Sequence, residues 1–248
     1  MFPLKDNVPT RSFPAVSVAL IVVNVAIYLY EFFLWFEPAA AGRTSLGAQL
    51  YQQFVIEFGL VPCRFGDICP PRLDTTLTGS PAPTLTIITS MFVHGGLLHV
   101  GGNMLYLWIF GKNVEDAMGH GRFLVFYLVC GLAAAAAQYL QDPASVIPIV
   151  GASGAVSGTL GAYLLLHPRA RIWTLVIFGF FVRVIPVPAL IVLGFWIVLQ
   201  VVNSVFTFAR GDTGGVAFLA HVGGFVAGLL LLGVFQRPQV RRRHRRGL

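Results

Sequence analysis

The chain has 248 residues, of which 56% are hydrophobic and only 11% charged, with a mean hydropathy of +0.76. That balance excludes an ordinary soluble globule, which needs far more polar surface, and marks an integral membrane protein. The net charge of +7 would suit a nucleic-acid partner, but no nucleic-acid motif accompanies it, and its placement follows membrane topology and attraction to anionic lipid headgroups instead.

A spanning helix needs about 20 mostly apolar residues. The first such stretch covers residues 15–36, after a short N-terminal segment (1–14). It is too long for the apolar core of a signal peptide, contains Glu31 and lacks a small-residue cleavage site, so it reads as a retained first span. A long first loop follows, over residues 37–86. Within it Cys63 and Cys69 bracket "CRFGDIC". On the non-cytoplasmic side an oxidising environment could join them as a disulfide, and the sequence leaves this open. A zinc pair is disfavoured, because the chain has no H-E-x-x-H and no second C-x-x-C, and no metal or other cofactor is expected.

The second span is expected over residues 87–110, interrupted by His94, His99 and Asn103, which are expensive groups in lipid. On one helix His99 and Asn103, four apart, share a face, whereas His94 is turned away from His99. A third span covers 123–140 and holds Cys130, read as a small buried thiol. The fourth covers 146–166, with Ser153 near its start inside "GASGAVSG". Residues 172–208 are too long for one span, and Arg183, Pro186 and Pro188 divide them. We read 172–182 as a connection or interfacial segment and 187–208 as the fifth span. The sixth covers 216–235, with His221 near its start, and a basic tail occupies 237–248. No internal repeat of fixed period is present.

Charge placement tests this count, since cytoplasmic loops collect Lys and Arg. Six spans put Lys5, Arg11, Lys112, Arg122, Arg169, Arg171, Arg183 and the tail "RRRHRR" on one side. Arg43, Arg64, Arg72 and Arg210 fall on the other, among acids. Both termini are then cytoplasmic. The expected fold is an all-α, six-span bundle with a long first loop, its membrane domain at residues 15–236.

Two stripes of small residues stand out, Gly154, Gly158 and Ala162 in span four and Ala220, Gly224 and Gly228 in span six. Their i, i+4 spacing gives two flat faces on which helix backbones approach closely. Such packing would bring the imidazole of His221 within reach of the Ser153 hydroxyl. A serine hydroxyl is a weak nucleophile until a base takes its proton, and imidazole suits that task near pH 7. No Asp or Glu lies between Asp142 and Asp212, so a Ser-His dyad is expected rather than a triad.

"HGGLLHVGGN", "GASG" and "AHVGG", on spans two, four and six, together with "GKNVEDAMG", resemble the rhomboid family of intramembrane serine proteases over roughly residues 85–235. The resemblance implies Ser153 as nucleophile and His221 as general base. It also implies that His99 and Asn103, in an H-x-x-x-N pattern, line the oxyanion hole together with Ser153 and Gly151. Substrates would be single-span membrane proteins with helix-breaking residues near the non-cytoplasmic end of the span. The chain departs from the family pattern in two places. Leu85 and Thr86 stand where a Trp-Arg pair is common, and Ser157 where some relatives place an aromatic ring on the histidine. Two other readings are a non-catalytic rhomboid-like protein that binds membrane clients, and a small transporter, for which the hydropathy lacks an inverted repeat. The compact loops point to a prokaryotic inner membrane. Oligomeric state is left open.

Overall fold

The computed structural model describes residues 2–35, 46–71, 73, 80–179, 181–210 and 216–238. Arg43, Arg72, Asp212 and the "RRRHRR" tail lie outside these residues. The chain begins with strand β1 (Phe2–Asp6) and the apolar helix α1 (Ala15–Trp35). Amphipathic helix α2 (Leu46–Phe58) and the short α3 (Pro83–Thr89) follow. Then come α4 (Leu97–Tyr106), a π-type turn at Leu107–Gly111 and α5 (Lys112–Met118), which run on as one helical rod, every junction residue keeping right-handed helical angles. Helix α6 (His120–Gln141) and α7 (Ser153–Leu166) precede a hairpin of β2 (Arg171–Phe178) and β3 (Phe181–Pro188). Helices α8 (Ala189–Arg210) and α9 (Phe218–Phe235) complete the fold.

Four of these helices, α1, α6, α8 and α9, are long and apolar enough to cross a membrane by length and composition. The structure corrects the expected second span. Residues 87–110 are not one helix: α3 ends at Thr89, and the rod that carries His99 and Asn103 runs from Leu97 to Met118. The break lies at Gly95 and Gly96. Gly96 has φ +145°, a conformation that side-chain-bearing residues rarely adopt. The rod reaches past Lys112 and Glu115 because partners satisfy these charges. Lys112 Nζ lies 2.9 Å from Asp6. Glu115 accepts the backbone N–H groups of Val16 and Ser17 at 2.9 and 2.8 Å. Its carboxylate therefore caps the start of α1, where free amides and the helix dipole favour negative charge.

The all-α expectation is corrected as well, since β1, β2 and β3 form a three-stranded antiparallel sheet in that order. Residues 172–182 do not cross a membrane as a helix. Their β-branched run, Ile172, Thr174, Val176 and Ile177, favours the pleated backbone. Pro186 and Pro188, which lack an N–H, sit in the edge strand β3. The N-terminal residues are therefore not a detached tail. Asp6 accepts the Tyr163 hydroxyl at 3.0 Å, and Asn113 also donates to it, which pins β1 to the helices.

Helix α7 sits at the centre, buried at every position from Gly154 to Tyr163 and flanked by α6 and α9. Its contact with α9 uses both expected stripes. A Cβ on Gly224 would collide with the Gly154 carbonyl, and one on Gly228 with that of Gly158. On its other side, α7 places Gly154 against Ala134 and Gly158 against Cys130 of α6. Phe110, Phe123, Phe126, Tyr127 and Leu160 fill the surrounding core.

Candidate active site

Span four was expected from residue 146, but helix α7 starts only at Ser153. Two local features stop it earlier. Pro148 cannot donate to a helical ladder, and Gly151 has φ +114°, a left-handed backbone that favours glycine. Residues before it run extended, with Ile149 bridging Leu60. At 14 residues and about 1.5 Å rise per residue, α7 is about 21 Å long, shorter than a hydrocarbon core of about 30 Å. Ser153 is its first residue.

Ser153 and His221 meet. The Ser153 hydroxyl Oγ lies 2.8 Å from His221 Nε2, a hydrogen bond between residues 68 apart in sequence. The short distance follows from the glycine contacts between α7 and α9, which let the two backbones touch. The other ring nitrogen, Nδ1, lies 2.8 Å from Oε1 of Gln200 on α8. Trp196, one turn earlier on α8, packs its ring against the imidazole at 5.9 Å between centroids and 35° between planes. Neither residue was expected from the sequence. A glutamine in the middle of an apolar span is costly in lipid, and that cost was the available signal.

Ser157, at one of the two departures from the resembled pattern, donates its hydroxyl to the Ser153 carbonyl at 2.6 Å. The ring against the histidine comes from the neighbouring helix. At the other departure Thr86 is buried and bonds the Pro83 carbonyl at 2.7 Å, while Leu85 is exposed.

His99 and Asn103 both face the region ahead of Ser153. His99 Nδ1 accepts the Gly95 N–H at 3.2 Å, which leaves the proton of a neutral ring on Nε2. A Cβ built on Gly151 would stand 2.6 Å from that Nε2 and 3.6 Å from Asn103 Nδ2. The Nδ2 amide is buried with no hydrogen-bond partner among the described residues. Two side-chain donors thus converge beside Gly151, next to the Ser153 amide, which as the first of its helix has no intrahelical partner. Gly151 was grouped with the oxyanion donors, but its own N–H is bound by the Ser90 carbonyl at 2.8 Å.

His94 is not turned away from His99. The break at Gly95–Gly96 brings the two rings to 5.1 Å, edge to face. His94 is fully buried, and its Nε2 receives the Ala152 N–H at 3.5 Å while its own N–H donates to the Glu31 carboxylate at 3.2 Å. It therefore braces the turn that presents Ser153.

These groups open on a cavity of about 670 Å³ lined by His99, Asn103, Ser153, Trp196 and His221. Its rim includes Pro62, next to Cys63. The sulfurs of Cys63 and Cys69 are bonded, and Cys63 N–H donates to the Ser145 carbonyl at 3.0 Å, so the small loop is held against the segment leading to α7. Cys130 is free and buried. Among the described residues no group of three or more His, Cys, Asp or Glu side chains could hold a metal ion.

Comparison with known proteins identifies the family. A family model described as Rhomboid domain matches residues 82–238. Rhomboid protease GluP of Bacillus subtilis is 30% identical over 155 residues, covering 62% of this chain and 26% of that protein. Mitochondrial Rhomboid protein 1 of Saccharomyces cerevisiae is 32% identical over 169 residues, covering 65% and 45%. RHOMBOID-like protein 1 of Arabidopsis thaliana is 28% identical over 237 residues, covering 92% and 55%. The chain therefore spans between 26% and 55% of the length of these relatives. With a family model covering most of the chain, and with helices suited to a bilayer, this multi-pass membrane protein belongs to the rhomboid family.

Proposed function

We propose that the chain is an intramembrane serine endopeptidase that cleaves transmembrane segments of membrane proteins through a Ser153–His221 dyad. The 2.8 Å hydrogen bond from Ser153 Oγ to His221 Nε2 carries the reading. In the first step Oγ attacks the scissile carbonyl as its proton passes to His221 Nε2, and negative charge develops on the carbonyl oxygen. His99 Nε2–H, Asn103 Nδ2–H and the Ser153 amide are the donors for that oxyanion. Collapse breaks the C–N bond, and His221 gives its proton to the leaving amine. A water then enters from the cavity, is deprotonated by His221 and hydrolyses the acyl-serine. The cavity supports this step, because hydrolysis needs water at the depth where α7 begins.

The same reading takes the Leu97–Met118 rod and the short α7 as membrane-embedded along with the four long apolar helices, which makes six spans. It places the N-terminal segment (1–14) and the basic tail (237–248) in the cytoplasm of a prokaryotic cell, on either side of the 15–236 membrane domain. The disulfide loop then lies on the opposite side.

A fluorophosphonate probe tests the activity, since only an activated serine reacts. Wild-type protein should label and should cleave a transmembrane-segment reporter. Ser153→Ala should abolish both, and His221→Ala should abolish labelling by removing the base. Labelling that persists in Ser153→Ala overturns the assignment, and folded wild-type protein that neither labels nor cleaves favours the non-catalytic client-binding reading.

A further inference from the structure

We propose that Gln200 is a positioning residue that fixes the tautomer and orientation of His221, a neutral amide taking the place that a carboxylate holds in a Ser-His-Asp triad. The proposal rests on the Ser153–His221 dyad reading. A neutral imidazole carries one N–H and one bare nitrogen. For Nε2 to accept the Ser153 proton, the hydrogen must reside on Nδ1, and an acceptor at Nδ1 holds it there. Gln200 Oε1 is that acceptor, at 2.8 Å.

An amide can present either end, so what aims the oxygen matters. Gln200 Nε2 donates to the Trp196 carbonyl at 3.4 Å, which turns Oε1 toward the imidazole. The Trp196 ring covers the same imidazole, so one turn of α8 supplies both the acceptor and the face on which the ring rests. Gln200 is buried, and its only other side-chain hydrogen bond among the described residues is to its own helix backbone. The remaining titratable groups on the cavity are His99, Tyr106 and Asp142. Among the described residues His221 makes side-chain hydrogen bonds to Ser153 and Gln200 only, so no carboxylate does this task.

The test compares kcat and KM of the purified full chain on a transmembrane-segment reporter for wild type, Ser153→Ala, Gln200→Met and Gln200→Glu. Methionine keeps the length and bulk of glutamine but offers no strong acceptor, whereas glutamate accepts from Nδ1–H whether ionised or not. Gln200→Met should lower kcat about ten- to a hundredfold with KM little changed, the effect of leaving one buried donor unpaired. Gln200→Glu should restore most of the loss. A methionine variant with wild-type kcat, or a folded glutamate variant as slow as methionine, overturns the proposal. Should Gln200→Met fail to fold, imidazole ¹⁵N shifts of His221 in the wild type decide, a proton on Nδ1 supporting it and one on Nε2 overturning it. Turnover that Ser153→Ala leaves intact overturns the dyad reading, and the role of Gln200 with it. With Ser153→Ala inactive the dyad reading stands, and the Gln200 variants then decide the present proposal by themselves.

Discussion

Asn103 holds a buried amide nitrogen with no partner among the described residues, 3.6 Å from where a Cβ on Gly151 would sit. A buried donor without a partner costs stability, so its retention beside a serine–histidine pair points to a partner that arrives with the reaction. An oxyanion forming on the substrate carbonyl meets that description. Removing one preorganised donor of this kind typically costs about 3 kcal/mol in the transition state, on the order of a hundredfold in rate. Asn103→Ala should therefore lower kcat by about that factor, leave KM nearly unchanged and still permit probe labelling of Ser153. Normal turnover with reduced thermal stability would instead make Asn103 a structural residue.

At the scale of elements, the distance between Ser153 and His221 is a packing distance. Helices α7 and α9 touch through Gly154 and Gly158 against Gly224 and Gly228, with no room for a methyl group at either α9 position. Gly224→Val would force the helices apart at the level of Ser153, at a cost of about 1–3 kcal/mol for overpacking. The variant should unfold at lower temperature in detergent and lose reporter cleavage together. Gly194 on α8 provides the control, because a Cβ there meets nothing within 4 Å. Gly194→Ala should keep both activity and melting temperature, and a loss equal to that of Gly224→Val would show that any glycine substitution disturbs the bundle. The π-type turn at Leu107–Gly111 makes a separate close approach, with Gly111 set near the Ser17 hydroxyl of α1.

For the molecule as a whole, the two ends of the bundle differ chemically. One end gathers Lys5, Lys112, Arg171 and Arg237: β1 pairs with β2, Lys112 meets Asp6, and the Arg237 amide donates to the Ala117 carbonyl at 3.1 Å. The cavity lining instead includes Pro62, Asp142 and Ser145, beside the Cys63–Cys69 loop. In the proposed topology, with basic residues kept on the cytoplasmic side, the sheet end would face the cytoplasm and the cavity the opposite side. A C-terminal alkaline phosphatase fusion should then be inactive and a C-terminal green fluorescent protein fusion bright. The reverse pattern would put the tail outside and change the number of crossings.

Composition and local pattern by themselves determined that the chain is a membrane protein, which polar residues stand in its apolar stretches, and which glycines form flat helix faces. These are properties of single segments, readable because lipid makes every polar group in a span conspicuous and because i, i+4 spacing fixes a helical face. The pairing of Ser153 with His221 was legible to the extent that two matching glycine stripes implied contact. Only the tertiary structure decided the rest. Gln200 and Trp196 reach His221 from another helix, His94 swings beside His99 because the chain breaks at two glycines, and β1 finds β2 across most of the sequence. Segment-by-segment reading cannot supply such partners, since each depends on how helices rotate and stack. The late start of α7 is the mixed case: Pro148 and Gly151 were visible in the sequence, but the left-handed backbone at Gly151, its hydrogen bond to Ser90 and the His99 ring that leaves no room for a Cβ there appear only in the tertiary structure.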